Sequence, residues 1–195
     1  MSKTVDFYYD YISPASYFGL IRLEELCKRT GTQINYKPML LGGVYNIVGN
    51  TAPITVPAKW EWIKKDFART AEYYGIPYQL NPHFIFSTVN ALRGAMWAQQ
   101  EGRIVEYNHA MYRAAWAEGK DLSSAEVLTE VLNEAGFDAT QVMEAMTQPE
   151  MKKALINATE EAANRGIFGA PTMFVGDEIY FGQDRLDWVE RALQS

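Results

Sequence analysis

The chain has 195 residues, 48% of them hydrophobic and 22% charged, with 18 Lys and Arg against 24 Asp and Glu for a net charge of −6. That length suits one domain with a sizeable core, or one domain carrying an insertion, and the apolar content excludes a disordered chain. There is no basic cluster for nucleic acid and no apolar run near the ~20 residues of a membrane-spanning helix, and a single cysteine with two histidines makes neither an internal disulfide nor an ordinary zinc site.

From its first residues the chain runs into Thr4–Tyr9, which alternates as a strand does and not as a signal segment, so a cytoplasmic protein is expected. Ser13-Pro14 reads as a helix start, serine as N-cap and proline in the first turn. Tyr17, Leu20, Leu23 and Cys27 then fall at three-and-four spacing until Gly31. Gln33–Lys37 forms a second strand closed by Pro38, and a βαβ unit of this kind pairs its strands in parallel.

A helical block follows. Helices are predicted from Pro57 to about Tyr74, over Thr88–Gln100 and over Ile104–Ala117. Capping boxes place further helix starts at Ser123 with Glu126, at Asp138 with Gln141 and at Thr147 with Glu150, the last helix ending at Asn164-Arg165 before Gly166. The chain closes with two strands, Pro171–Val175 and Ile179–Phe181, around Gly176-Asp177, and a helix from Asp184 as N-cap to about Leu193. A βαβ half and a ββα half around helices describe an α/β protein with a thioredoxin-like fold and an inserted all-helical domain. The boundaries drawn are 1–46 with 165–195 for the first part and 47–164 for the insertion.

A thioredoxin-like oxidoreductase carries Cys-x-x-Cys at the start of its first helix, where the helix N-terminus stabilises a thiolate. This chain has Ser13-Pro14-Ala15-Ser16 there, so dithiol chemistry by that motif is excluded, and Cys27, three turns on, reads as a small buried hydrophobe. Ser13 is an N-cap that can also hold a ligand's thiolate together with the free N–H groups of the first turn. No histidine stands beside it to make it a covalent nucleophile. Gly169-Ala170-Pro171-Thr172 is expected to place a cis proline against that helix end and to offer the backbone of Ala170 to an extended ligand. Gly182-Gln183-Asp184-Arg185 joins a glycine turn to an acid at a helix start, a pairing that suits the zwitterionic end of an amino acid. Gly49-Asn50 and Pro57-Ala58-Lys59 add a loop and a first-turn lysine, which is unfavourable for the helix dipole and therefore fits a ligand's negative charge.

Taken together, Tyr8-Tyr9-Asp10-Tyr11-Ile12-Ser13-Pro14-Ala15-Ser16-Tyr17, Gly49-Asn50, Pro57-Ala58-Lys59, Phe168-Gly169-Ala170-Pro171-Thr172 and Gly182-Gln183-Asp184-Arg185 resemble the 2-hydroxychromene-2-carboxylate isomerases, relatives of the kappa-class glutathione transferases in the DsbA-like thioredoxin superfamily. The resemblance spans essentially the whole chain. It implies glutathione as cofactor, with Ser13 at the sulfur, Asn50 and Lys59 on the tripeptide, Ala170 before cis Pro171 on the cysteinyl part, and Gln183 and Asp184 on the γ-glutamyl end. It also implies a small aromatic substrate and a homodimer. The second-substrate wall is sought in Asn81–Ser87, with Trp60 and Trp62 as aromatic sides. Three activities share such a site: an isomerase that returns its glutathione, a kappa-like transferase that consumes it, and a binding module without catalysis. Ser13, Asn50, Lys59 and Asp184 occurring together speak against the last, because binding an extended protein does not require that set.

Overall fold

The computed structural model describes residues 3–194. In chain order the elements are β1 (Thr4–Tyr9), α1 (Pro14–Thr30), β2 (Gln33–Pro38), α2 (Leu41–Val48), α3 (Pro57–Tyr74), α4 (Val89–Gln100), α5 (Ile104–Tyr112), α6 (Ala125–Glu134), α7 (Ala139–Thr147), α8 (Pro149–Asn164), β3 (Thr172–Val175), β4 (Glu178–Phe181) and α9 (Leu186–Gln194). The sheet order is β2-β1-β3-β4; β1 and β2 are parallel, and β3 is antiparallel to both β1 and β4. Phe7 is in register with Tyr36 on one side and Met173 on the other. This is the thioredoxin-like arrangement the element order implied, with α2 to α8 inserted between β2 and β3. No helix among the described residues is long and apolar enough to cross a membrane.

The alternation of β1 divides the interior into two cores. Val5, Phe7 and Tyr9 join the main core, together with Met173 of β3. Tyr8 and Phe174 point the other way, into a smaller core with Met39, Leu41, Val44, Ala162 and Ile167 beneath α2 and α8. On the main side α1 packs against α9 and α3, and α4 packs against α5, α7 and α8. Gly94 of α4 allows one close approach: a Cβ there would lie 2.1 Å from the Tyr107 hydroxyl and 2.6 Å from the Met146 methyl.

Several local expectations are corrected. Helix α2 carries no polar cap and runs through Gly42-Gly43, so it lacks the punctuation by which the other helices were read. The helix predicted over Ile104–Ala117 is α-helical only to Tyr112; Arg113–Ala117 is a π-helical turn. The N-cap of α6 is Ser124, which accepts from Val127 N–H, while Ser123 folds back to the Asp121 carboxylate. Thr147 ends α7 and donates to the Glu144 carbonyl; Gln148 caps α8, with Pro149 in its first turn. Asp184 does not cap α9, because a 3-10 turn over Gln183–Arg185 intervenes and α9 starts at Leu186.

The sheet is joined to the inserted helices by a buried tyrosine cluster. Tyr9 and Tyr11 hydroxyls both donate to Asn108 Oδ1, at 2.7 and 2.6 Å, and Tyr112 donates to the Asp10 carbonyl at 3.2 Å. Trp116, on the π turn, donates through Nε1 to the Tyr11 carbonyl at 2.8 Å. Burial raises the pKa of Tyr9, Tyr11 and Tyr112, so these phenols stay neutral donors. Replacing Asn108 by Ala strands two buried hydroxyls, and urea unfolding should show a loss of about 2–4 kcal/mol. A loss below 0.5 kcal/mol would contradict this account of the cluster.

A second link gives a pH dependence. His109, near the end of α5, sits 2.8 Å from the Glu24 carboxylate of α1, and Glu24 also accepts from Tyr36. The hydrogen bond to Glu24 raises the pKa of His109 above its ordinary value of 6.5, against partial desolvation. The charged ring thus contributes stability fully present below pH 6.5 and lost as pH rises through the higher folded value. His109→Gln should therefore lower the urea midpoint more at pH 5.5 than at pH 8.5; equal shifts at both would refute the linkage.

Candidate active site

Helix α1 begins where β1 ends, and Ser13 is its N-cap: Ser13 Oγ accepts from Ser16 N–H at 3.1 Å while Pro14 takes the first helical position. No acidic side chain lies in the first turn of α1, so its positive end is not compensated from within. Pro14 has no N–H, the Ser16 and Tyr17 N–H groups return to Ser13, and the Ala15 N–H has no partner among the described residues. The Ser13 side chain is largely buried and its hydroxyl donates to the Ala170 carbonyl in a long bond of 3.3 Å. The Ala170–Pro171 bond is cis, as the fold context implied, and the proline ring rests on α1 where Gly19 has no Cβ to obstruct it. The Ala170 carbonyl accepts from Ser13 and keeps a second lone pair, and its N–H has no partner among the described residues, so both backbone groups can meet a ligand. Gly182 N–H donates to the Pro171 carbonyl at 2.9 Å, which brings the turn after β4 alongside Ala170.

These groups open on a cavity of about 610 Å³. Ser13, Pro14, Ala15, Ala170, Gln183 and Asp184 lie on one side. The other side is largely aromatic and apolar: Trp60, Trp62, Ile63 and Phe67 of α3, with Phe84, Ile85 and Phe86 of the segment before α4. Trp60 and Phe84 are stacked, ring centroids 5.3 Å apart at 16°. Within the predicted Asn81–Ser87 stretch, Phe84 to Ser87 face the cavity, whereas Asn81 is a buried anchor that donates to the Ala115 and Lys120 carbonyls. No lysine or arginine among the described residues lines the cavity. Its three carboxylates differ in kind. Asp10 is buried with three donors, Asp184 pairs with Arg185 at 2.5 Å, and Asp66 of α3 makes no hydrogen bond or ion pair among the described residues.

Not every predicted residue reaches this cavity. Asn50 is exposed and spends its amide on the chain, Nδ2 donating to the Phe168 carbonyl at 2.7 Å and Oδ1 accepting from Thr51 N–H at 2.8 Å. It ties the loop after α2 to the segment ahead of Ala170 and does not line the wall. Lys59 is exposed in the first turn of α3, outside the lining but on the helix face that Ile63 and Asp66 carry inward. Pro171 is buried behind Ala170 and shapes the backbone without touching the cavity. Ser16, the other position of the missing cysteine pair, is buried and also absent from the lining. Cys27 is buried further along α1, its thiol pushed up to about 12 by burial and by the Glu24 carboxylate, which makes it inert. Sequence reasoning missed Asp10, Asp66 and Phe67. Phe67 carries a weak signal, the i, i+3, i+7 spacing from Trp60 and Ile63, and Asp66 lies three residues after Ile63 on the same inward stripe of α3.

Comparison with known proteins matches this fold. Residues 4–194 match the DSBA-like thioredoxin domain family. A 2-hydroxychromene-2-carboxylate isomerase of Sphingobium xenophagum is 34% identical over 195 residues, covering 99% of each chain. A solved structure of a 2-hydroxychromene-2-carboxylate isomerase superposes with a TM-score of 0.90 at 29% identity, covering 98% of this chain and 94% of that one. Glutathione S-transferase kappa 2 of Caenorhabditis elegans is 29% identical over 202 residues, covering 96% of this chain and 90% of the relative. With its fold, the serine at its α1 N-terminus and these full-length relatives in agreement, the chain belongs to the 2-hydroxychromene-2-carboxylate isomerase family within the DSBA-like thioredoxin domain proteins.

Proposed function

We propose that the protein is a glutathione-dependent isomerase that converts 2-hydroxychromene-2-carboxylate into trans-o-hydroxybenzylidenepyruvate, as part of the breakdown of aromatic compounds. The observation that carries the reading is Ser13, buried at the uncompensated N-terminus of α1 and facing Ala170 across the mouth of an aromatic cavity, with no cysteine of the chain's own in reach. The donor set fits glutathione: a hydroxyl and the Ala15 N–H for the sulfur, the Ala170 N–H for a peptide carbonyl, an amide and a carboxylate at 183–184 for a zwitterion. When bound, glutathione would supply a thiolate for reversible addition to the conjugated double bond of the substrate, chemistry that permits rotation about that bond with no net redox change.

The chain's residues have separable tasks in this reading. Ser13 and the α1 dipole hold negative charge at the sulfur position, the first through its hydroxyl proton once that proton turns from the Ala170 carbonyl. Asn50 holds the loop that carries Ala170, and Lys59 adds positive charge at the mouth, where an anionic ligand enters. Pro171 fixes the backbone of Ala170. Trp60, Phe67 and Phe84 clamp the substrate ring and exclude water. Asp66, unpaired in an aromatic wall, is placed to accept from a substrate hydroxyl. The site lies where the part at 1–46 and 165–195 meets the helical part at 47–164. The reading takes the protein to act in the cytoplasm, and as a homodimer, which the family resemblance implies.

Incubating the protein with catalytic glutathione and 2-hydroxychromene-2-carboxylate should give the ring-opened isomer with glutathione recovered. A product that retains sulfur, with glutathione consumed, would favour a kappa-like transferase. Absence of both products, with no glutathione binding at 10 mM by calorimetry, would remove the reading altogether. Ser13→Ala should reduce turnover about a hundredfold with the fold intact, the scale of losing one donor to a reacting anion. Cys27→Ala should retain activity, and a large loss without unfolding would overturn the account of that residue.

A further inference from the structure

Arg22 stands on α1 away from the cavity wall, yet it is bound to a residue of that wall. Its Nη1 donates to the Gln183 backbone carbonyl at 2.6 Å and to the Gln183 side-chain Oε1 at 2.8 Å. The flat of the guanidinium covers the Tyr74 ring, 3.9 Å from its centroid. Three elements thus fix one cation: α1 carries it, the end of α3 stacks on it, and the 3-10 turn after β4 accepts from it.

The chemistry of the pair sets which way the Gln183 amide points. A guanidinium has donors and no acceptor, so the amide atom against it is the oxygen. The NH2 group then lies on the opposite side of the amide, on a residue that lines the cavity, and it donates to no group among the described residues. A flipped amide would set its NH2 against Nη1, donor to donor. The charge on Arg22 also polarises the amide through its oxygen and strengthens the N–H groups as donors. Asp184, next along the turn, offers only acceptors.

We propose that Arg22 is a positioning residue: by holding Oε1 it presents the Gln183 NH2 to the cavity, so that this position recognises an acceptor, the α-carboxylate of a γ-glutamyl ligand, while Asp184 recognises the α-ammonium. This rests on the glutathione reading above and assigns within it which end of the zwitterion each residue takes. Exchange of the two groups is opposed on both sides, because an ammonium meets a donor at Gln183 and a carboxylate meets a carboxylate at Asp184.

The test is calorimetric titration of the full chain with glutathione, with γ-aminobutyryl-Cys-Gly, which lacks the α-carboxylate, and with glutaryl-Cys-Gly, which lacks the α-amino group. Arg22→Ala should weaken glutathione and glutaryl-Cys-Gly about tenfold each and leave γ-aminobutyryl-Cys-Gly within twofold. Arg22→Lys, which keeps a donor but not the fork or the stacking, should recover part of the loss. Gln183→Ala leaves Arg22 its backbone carbonyl and Tyr74, and should show the same pattern, so a folding defect in the arginine variants does not shield the proposal. Equal weakening of all three ligands, or none of any, would overturn the positioning role while leaving the glutathione reading in place. Failure of the wild-type chain to bind glutathione at 10 mM would overturn both.

Discussion

The carboxylate of Asp10, 1% exposed, sits where four segments of the chain converge, and the place of Ser13 follows from how that carboxylate is satisfied. Its Oδ1 accepts from Ile12 N–H at 3.1 Å and from the Thr88 hydroxyl at 2.7 Å, and its Oδ2 accepts from Leu41 N–H at 2.8 Å. The Asp10 backbone carbonyl takes Ser13 N–H at 3.1 Å and the Tyr112 hydroxyl at 3.2 Å. The end of β1, the start of α2, the start of α4 and the end of α5 are thereby fixed to one residue. Burial raises the pKa of this acid while the three donors lower it. Removing an ion from water costs several kcal/mol, and each hydrogen bond to a charged acceptor returns about 1.5–3 kcal/mol. Three donors make such a carboxylate tolerable, and fewer would not. The turn that presents Ser13 is therefore coupled to the helices that build the opposite wall.

The helix ends with polar caps were legible in the sequence, because a cap is a local event. Ser13, Asp138 and Gly31 each act within a few residues, and the structure shows their hydrogen bonds as the residue types imply. Errors came where two local solutions compete. Ser123 and Ser124 are adjacent, and the choice fell to Ser124 because Asp121 had already engaged its neighbour. At Asp184 the acid, the glycine turn and the following apolar spacing all read as a helix start; the hydrogen bonds from Arg22 to Gln183 are tertiary and favour a tighter turn first. Asp10 was invisible as an anchor because its three side-chain partners include Leu41 and Thr88, distant in sequence. The Gly182-Gln183-Asp184-Arg185 turn, the cis proline and the serine helix start were recognisable as motifs, and the cavity wall only as a stretch to search, since which aromatic faces inward is settled by packing.

The electrostatics of the cavity fit a thiol held lightly. With no cation on the lining, a sulfur beside Ser13 is favoured as thiolate by a hydroxyl, the Ala15 N–H and the dipole of α1, effects of about 0.3–2 kcal/mol for the dipole and a little more for the hydrogen bonds. That moves a thiol of pKa ~8.5 towards neutrality without making it a strong acid. A thiolate of much lower pKa loses nucleophilicity, and one of much higher pKa is scarce at neutral pH. For addition followed by elimination both directions matter, so neutral donors suit a reversible step better than an ion pair would. The inert, buried thiol of Cys27 illustrates the opposite environment on the same helix.

The two walls of the cavity answer to different constraints. The Ser13 and Ala170 side is built from sheet ends, a cis peptide and a helix start, and in the proposed reading it contacts only the parts that any γ-glutamyl thiol shares. The α3 side is the one assigned to the second substrate in that reading, and its geometry depends on bracing from behind. Trp116, placed by the π turn, packs against Phe84 and Phe86, with centroids 5.8 and 6.0 Å away, while Asn81 pins the start of that segment to Ala115 within the turn and to Lys120 beyond it. A five-residue π turn rotates the following side chains relative to a continuous α-helix, and here the rotation sends the Trp116 ring behind the wall and its N–H to Tyr11. In the proposed reading a thiolate once added either leaves or stays, and the supporting thiol site is the same in both cases. What differs is whether the wall leaves the added substrate room to turn about its new single bond and keeps it there until elimination. A cavity of about 610 Å³ closed by stacked aromatics, with one unpaired carboxylate to hold a hydroxyl, confines a ring by its faces while leaving the attached chain free towards the mouth. In the proposed reading that division, a rigid thiol side and a braced aromatic side, is what separates isomerisation from conjugation on a common scaffold.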